Sequence, residues 1–87
     1  MKVNAANRNV AENMVKDLCE AARNLRNAAV AAKSLGSGTA AQKTHDSLWM
    51  QNLKIQMRAD QIDRAIRRFD AMVKIACEDA ARYADAK

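Results

Sequence analysis

Apolar residues recur along the second half of the chain at alternating steps of four and three, a spacing typical of one helix packed against another. One polar residue interrupts this row, which consists of Leu48, Asn52, Ile55, Ala59, Ile62, Ile66, Phe69, Val73, Ala76, Ala80 and Tyr83. A looser row runs through the first half and consists of Ala11, Met14, Leu18, Ala21, Leu25, Ala28, Ala32 and Leu35. The pattern predicts two amphipathic helices and no strand.

The two rows are separated by a short polar break that contains both glycines of the chain, Gly36 and Gly38. Gly36 can adopt the left-handed conformation that ends a helix. Thr39 and Gln42 have the spacing of a capping box, and Asn4 is a suitable cap for the first helix. The predicted elements are helix 1 over about residues 5–35, a loop at 36–39 and helix 2 over about 40–85.

A short loop makes the two helices antiparallel neighbours, so the predicted fold is a single-domain, all-α, two-helix hairpin. We expect Leu18 to face Ile62 and Ile66, and Met14 to face Ile66 and Phe69. Helix 2 is predicted to extend past helix 1 by about ten residues, leaving its last turns, 80–87, unopposed. An incompletely covered hairpin is expected to complete a four-helix assembly with a partner or with itself.

Helix 2 also carries large apolar residues away from this row. Trp49, Leu53 and Met57 recur at i, i+4 and i+8, with Met50 beside them, on a face about 100–200° from the row. Tryptophan is frequent among the residues that dominate binding energy. We therefore predict a partner-binding surface formed by Trp49, Met50, Leu53, Met57 and Tyr83. The alternative is that Trp49 only covers the loop end of the hairpin.

The polar residue in the row of helix 2, Asn52, admits two interpretations. A single buried asparagine can fix register or partner choice at a cost in stability. Asn52 could equally lie at the edge of the row and reach water.

The chain has 15 Lys and Arg against 10 Asp and Glu, which gives a net charge of +5. This balance is compatible with nucleic acid, an anionic membrane or an acidic protein. Arg64, Arg67 and Arg68 fall within about one turn and suggest an alternative function, a homodimeric four-helix bundle that binds RNA or DNA. Several acidic residues precede a basic one by four positions, an order typical of a solvated helix face. The pairs are Glu12–Lys16, Asp60–Arg64, Asp63–Arg67, Asp70–Lys74 and Glu78–Arg82.

The residues that enzymes use are scarce. The glycines lack the lysine and the preceding strand of a phosphate-binding loop. His45 and Asp46 are adjacent on a helix, so they should point about 100° apart and form a terminal polar cluster rather than a catalytic pair. His45 is the single histidine and has no cysteine at ligand spacing, so we expect no metal and no cofactor. The chain is predicted not to be an enzyme.

We expect no signal peptide at the amino terminus, because polar residues follow Lys2 where an apolar stretch should begin. No run approaches the roughly 18 apolar residues of a membrane span. Cys19 and Cys77 are far apart and are interpreted as free thiols in a reducing compartment. The expected location is the cytoplasm, or outside it after export without a cleavable signal peptide.

Two helices, a short loop and a tryptophan after the turn together resemble the WXG100 (ESAT-6-like) superfamily. Trp49 matches the tryptophan of the family's Trp-x-Gly turn, with Gln51 at the glycine position. Tyr83 matches the tyrosine of the family's carboxy-terminal motif, with Lys87 at the acidic position and Asp85 out of register. The resemblance implies pairing of hairpins for type VII secretion, with this chain as a targeting or chaperone partner of an LXG-type toxin.

Overall fold

The protein is described here by a computed structural model that covers residues 1–85, with Asp85 described by its backbone alone. Helices α1 (Arg8–Ser34) and α2 (Thr39–Asp85) pack against each other, and no strand occurs within these residues. The molecule measures 74 × 18 × 16 Å, and its length is that of α2 at about 1.5 Å per residue. The predicted all-α hairpin is therefore confirmed. Neither helix has a stretch long and apolar enough to span a membrane within the described chain.

The first helix begins three residues later than predicted, because a capped turn precedes it. The Asn7 backbone N–H donates to Asn4 Oδ1 at 3.0 Å, and the Asn4 N–H donates to Asn7 Oδ1 at 2.8 Å. This reciprocal pair satisfies two amides outside the helix, much as a capping box does. The turn also directs Val3 into the core, where it is 8% exposed against Ala11 and Ile62.

The connection between the helices is short and contains one unusual backbone conformation. Gly36 has φ of 156°, which residues with a side chain rarely adopt. The predicted capping box of Thr39 and Gln42 is not formed. The Gln42 side chain donates to Asp46 Oδ1 at 2.9 Å, while its backbone N–H donates to the Gly38 carbonyl at 3.2 Å.

The core lies along one strictly alternating row of α1. The buried and half-buried members of this row are Ala11, Val15, Leu18, Ala22, Leu25, Ala29 and Ala32. The predicted row was therefore partly wrong. Ala29 is buried where Ala28 was expected, and Leu35 is 86% exposed. At several steps two neighbouring residues are both apolar, so hydrophobicity alone could not decide between them.

The one-residue difference between the predicted and the observed row of α1 also affects the contact predicted for Met14. Its neighbour Val15 packs against the cluster that contains Ile62 and Ile66, whereas Met14 is 39% exposed. Leu18 packs against this cluster as predicted.

Packing between the helices stops near Asp70. The Arg8 guanidinium donates from Nε to Asp70 Oδ1 and from Nη2 to Asp70 Oδ2, both at 2.7 Å, across the open end of the hairpin. All residues from 71 to 84, which we call the overhang, are exposed. The overhang was predicted to begin near Ala80, and it begins about nine residues earlier, at residue 71.

Asn52 is buried, which excludes the interpretation that it reaches water. It is 1% exposed, and neither Nδ2 nor Oδ1 has a hydrogen-bond partner within residues 1–85. A buried amide without a partner destabilises a fold by about 1–3 kcal/mol.

We predict that Asn52→Leu, which replaces this amide by an apolar group of similar shape, raises the free energy of unfolding by about 1–3 kcal/mol. Urea unfolding followed by circular dichroism measures the change. The control is Asn24→Leu at an exposed position of α1, which should change stability by less than about 0.5 kcal/mol. Destabilisation by Asn52→Leu would mean that the amide is satisfied.

A second prediction concerns pH. The hydrogen bonds from Arg8 lower the pKa of Asp70 below its ordinary value of 3.8. A lowered carboxyl pKa stabilises the fold above the ordinary value, and this stabilisation is lost as pH falls through the folded value. Asp70→Asn should therefore lower the thermal midpoint at neutral pH and leave it unchanged once pH is well below the lowered pKa of Asp70.

The matched control is Asp17→Asn on α1, whose carboxylate forms no ion pair within the described residues. An equal loss of stability at neutral and at strongly acid pH for Asp70→Asn would contradict the ion-pair explanation.

Candidate protein-interaction surface

Four large apolar side chains lie together on α2 and remain accessible after the hairpin has formed. We call Trp49, Met50, Leu53 and Met57 the outer stripe; their exposed fractions run from 40% for Trp49 and Leu53 to 62% for Met57. Three of them follow one another at steps of four, so they share a face. That face points away from the buried row because Asn52 and Ala59 of the same helix face α1. The hairpin alone therefore leaves this stripe uncovered.

Trp49 is held from one side by a histidine one turn earlier. The rings of His45 and Trp49 are stacked, with centroids 5.8 Å apart and an interplanar angle of 17°. The contact accounts for part of the burial of the indole and leaves its remaining surface open to a partner. This contact lies within α2, and the interpretation of Trp49 as a cover for the loop end stays a prediction.

His45 and Asp46 were expected to point apart, and the structure brings them together. His45 Nδ1 lies 3.0 Å from Asp46 Oδ1, and the His45 side chain is only 16% exposed. The hydrogen bond from His45 lowers the pKa of Asp46, with smaller contributions from Gln42 and from the charge of Lys33 on α1. Sequence reasoning overlooked the His45–Trp49 contact, although the spacing of four residues was a usable indication.

Tyr83 lies apart from the outer stripe. It is 77% exposed in the overhang, about 40 Å along the helix from Met57 at 1.5 Å per residue. The overhang also exposes Met72, Val73 and Ile75. The five residues predicted as one binding surface therefore form two separate apolar regions on a single long helix.

The basic residues of the alternative hypothesis, Arg64, Arg67 and Arg68, are exposed on α2, and Arg68 lines a groove beside the amino-terminal turn. Only one of the predicted acid–base pairs is present, between Asp63 Oδ2 and Arg67 Nε at 2.9 Å. Asp70 and Glu12 both pair with Arg8 instead, and Arg82 approaches Asp79 at 3.9 Å. Arg64 and Arg68 have no carboxylate within 4.0 Å among residues 1–85.

A shallow apolar groove between the helices was not anticipated from the sequence. It has a volume of about 430 Å³ and is lined by Met1, Met14, Leu18, Arg58, Gln61 and Ile62. It owes its existence to the amino-terminal turn, which brings Met1 next to both helices.

Side chains suited to metal binding are dispersed. No group of three or more His, Cys, Asp or Glu residues that could hold a metal ion occurs in the part of the chain that the structure describes. Cys19 and Cys77 are free and exposed.

Comparison of the chain with models of protein families, with curated proteins and with solved structures found no match.

Proposed function

We propose that this protein is a non-enzymatic, helical interaction protein that binds another helical protein through the outer stripe. The observation that carries the proposal is the stripe itself, four contiguous large apolar side chains that α1 does not cover. Contiguous apolar surface of this kind usually marks an interaction site. Trp49 supplies a large apolar area whose indole N–H can also donate a hydrogen bond.

The overhang supports the same proposal independently. Residues 71–84 continue the alternating row of α2 past the end of α1, with Val73 and Tyr83 exposed in it. A helix that packed along this row would extend the hairpin interface without a change in geometry. A partner with two helices could contact both regions, and the result would be a four-helix assembly.

The resemblance to the WXG100 superfamily supplies a specific form of the proposal. In that form the partner is a sister hairpin or the helical amino-terminal region of an LXG-type toxin. The chain then acts as its targeting or chaperone partner in type VII secretion. It resides in the cytoplasm, or leaves it with the toxin. A match at Trp49 and Tyr83 and the two-helix architecture support this form.

The alternative, a homodimer that binds RNA or DNA, draws support from Arg64 and Arg68, which have no acidic neighbour within 4.0 Å in the described chain. Against it, the neighbouring Arg67 is paired with Asp63. No aromatic side chain stands beside these arginines to stack on a base, since Phe69 packs against the core. We therefore favour the protein partner.

The test uses three versions of the chain as baits in extracts of the source cells: the wild type, Trp49→Ala and Val30→Ala. Val30 is the matched control because it is apolar, 63% exposed and on α1, away from the stripe. We predict one helical protein retained by the wild type and by Val30→Ala, with affinity reduced about thirtyfold or more by Trp49→Ala. This reduction corresponds to the loss of at least about 2 kcal/mol at a hot spot.

The captured protein is then purified, and its affinity for each version is measured by calorimetry. Retention that is unaffected by Trp49→Ala would contradict the proposed surface. Nucleic acid retained by Trp49→Ala and lost on Arg67→Glu and Arg68→Glu would favour the alternative function.

A further inference from the structure

The outer stripe is in contact with the one histidine of the chain. His45 stacks against Trp49 at a centroid distance of 5.8 Å, and its Nδ1 lies 3.0 Å from Asp46 Oδ1. The His45 side chain is only 16% exposed. Its two contacts, with the indole ring and with the carboxylate, both depend on the charge of the imidazole. The ordinary charge change of histidine falls between about pH 5 and 8.

Protonation strengthens both contacts of the imidazole. A cation near an aromatic face is attracted by the negative charge of the ring face, and tryptophan is the strongest aromatic partner. A protonated His45 also forms an ion pair with Asp46, which is stronger than a hydrogen bond from a neutral ring. The neutral imidazole keeps only the stacking contact and a weaker hydrogen bond.

The charge of Lys33, in the last turn of α1, also acts on Asp46. Its charge contributes to the low pKa of Asp46, but less than the hydrogen bonds from His45 and Gln42 do. A positive charge on Lys33 opposes a positive charge on His45, whereas the carboxylate of Asp46, 3.0 Å from the imidazole, favours it.

We propose that His45 is a pH-dependent clamp on Trp49: the protonated imidazole fastens the indole to α2, and the neutral imidazole releases it for a partner. The consequence for binding rests on the proposed function of the outer stripe. A partner that takes up the indole face covered by His45 must separate the two rings. A partner that instead covers both stacked rings must remove the imidazolium from water. Both effects weaken Trp49-dependent association as pH falls through the range in which histidine is protonated.

The clamp can be tested on the isolated chain, because Trp49 is the single tryptophan and His45 the single histidine. The measurement is quenching of tryptophan fluorescence by acrylamide, a neutral probe, at pH 5 and pH 8. We expect quenching to be about twofold weaker at pH 5 than at pH 8, in keeping with the modest strength of a partly exposed cation–π contact.

His45→Gln should give the same quenching at both pH values, because glutamine does not titrate. Asp46→Asn should reduce the pH effect without abolishing it, since the contact between the rings remains. Quenching of the wild type that does not depend on pH, or a pH dependence that persists in His45→Gln, would overturn the proposal.

This experiment needs no partner, so its failure is distinct from a failure of the proposed function. If Trp49→Ala leaves capture of the helical protein unchanged, the binding surface is wrong while the clamp can still be observed. If quenching is independent of pH, the clamp is wrong while the outer stripe can still bind.

Discussion

The fold depends on close contact between a small-residue face of α1 and a larger face of α2. Ala11, Ala22 and Ala29 are at most 1% exposed, so each position allows the backbones to approach. Ile62 and Ile66 supply the volume that these alanines do not. Because the alternating row of α1 has few large side chains, α1 covers one face of α2 and no more. The outer stripe is exposed because α1 has too few large side chains to cover it.

The same interface explains where the polar and titratable side chains lie in the molecule. The buried row contains one polar side chain, Asn52, whose amide has no partner within the described residues. The titratable groups with altered pKa values, Arg8, Asp46 and Asp70, are all at the surface, near the two ends of the hairpin. Polar contacts therefore join the ends of the hairpin, apolar contacts join the middle, and the outer face of α2 remains exposed.

The helices and the hairpin could be predicted because the alternating row of α2 and the break around Gly36 are strong local patterns. The packed row of α1 could be predicted only in part, since neighbouring alanines such as Ala28 and Ala29 are equivalent in hydrophobicity. The pair between Arg8 and Asp70 joins residues 62 apart, and no local pattern indicates it. The exposure of Trp49 agrees with the predicted stripe, whereas its contact with His45 depends on ring orientations that spacing alone does not determine.

The great separation in sequence of Arg8 and Asp70 also has a consequence for the folding of the chain. Contacts near the loop join residues that are near each other in sequence, whereas contacts at the open end join residues far apart. The entropy cost of hairpin formation is therefore lowest when contacts form outward from Gly36. Local opening should run in the reverse order, from the ion pair toward the loop. Amide hydrogen exchange along α1 would then slow progressively from Arg8 toward Ala29, because the residues nearest the open end are exposed by the smallest local opening.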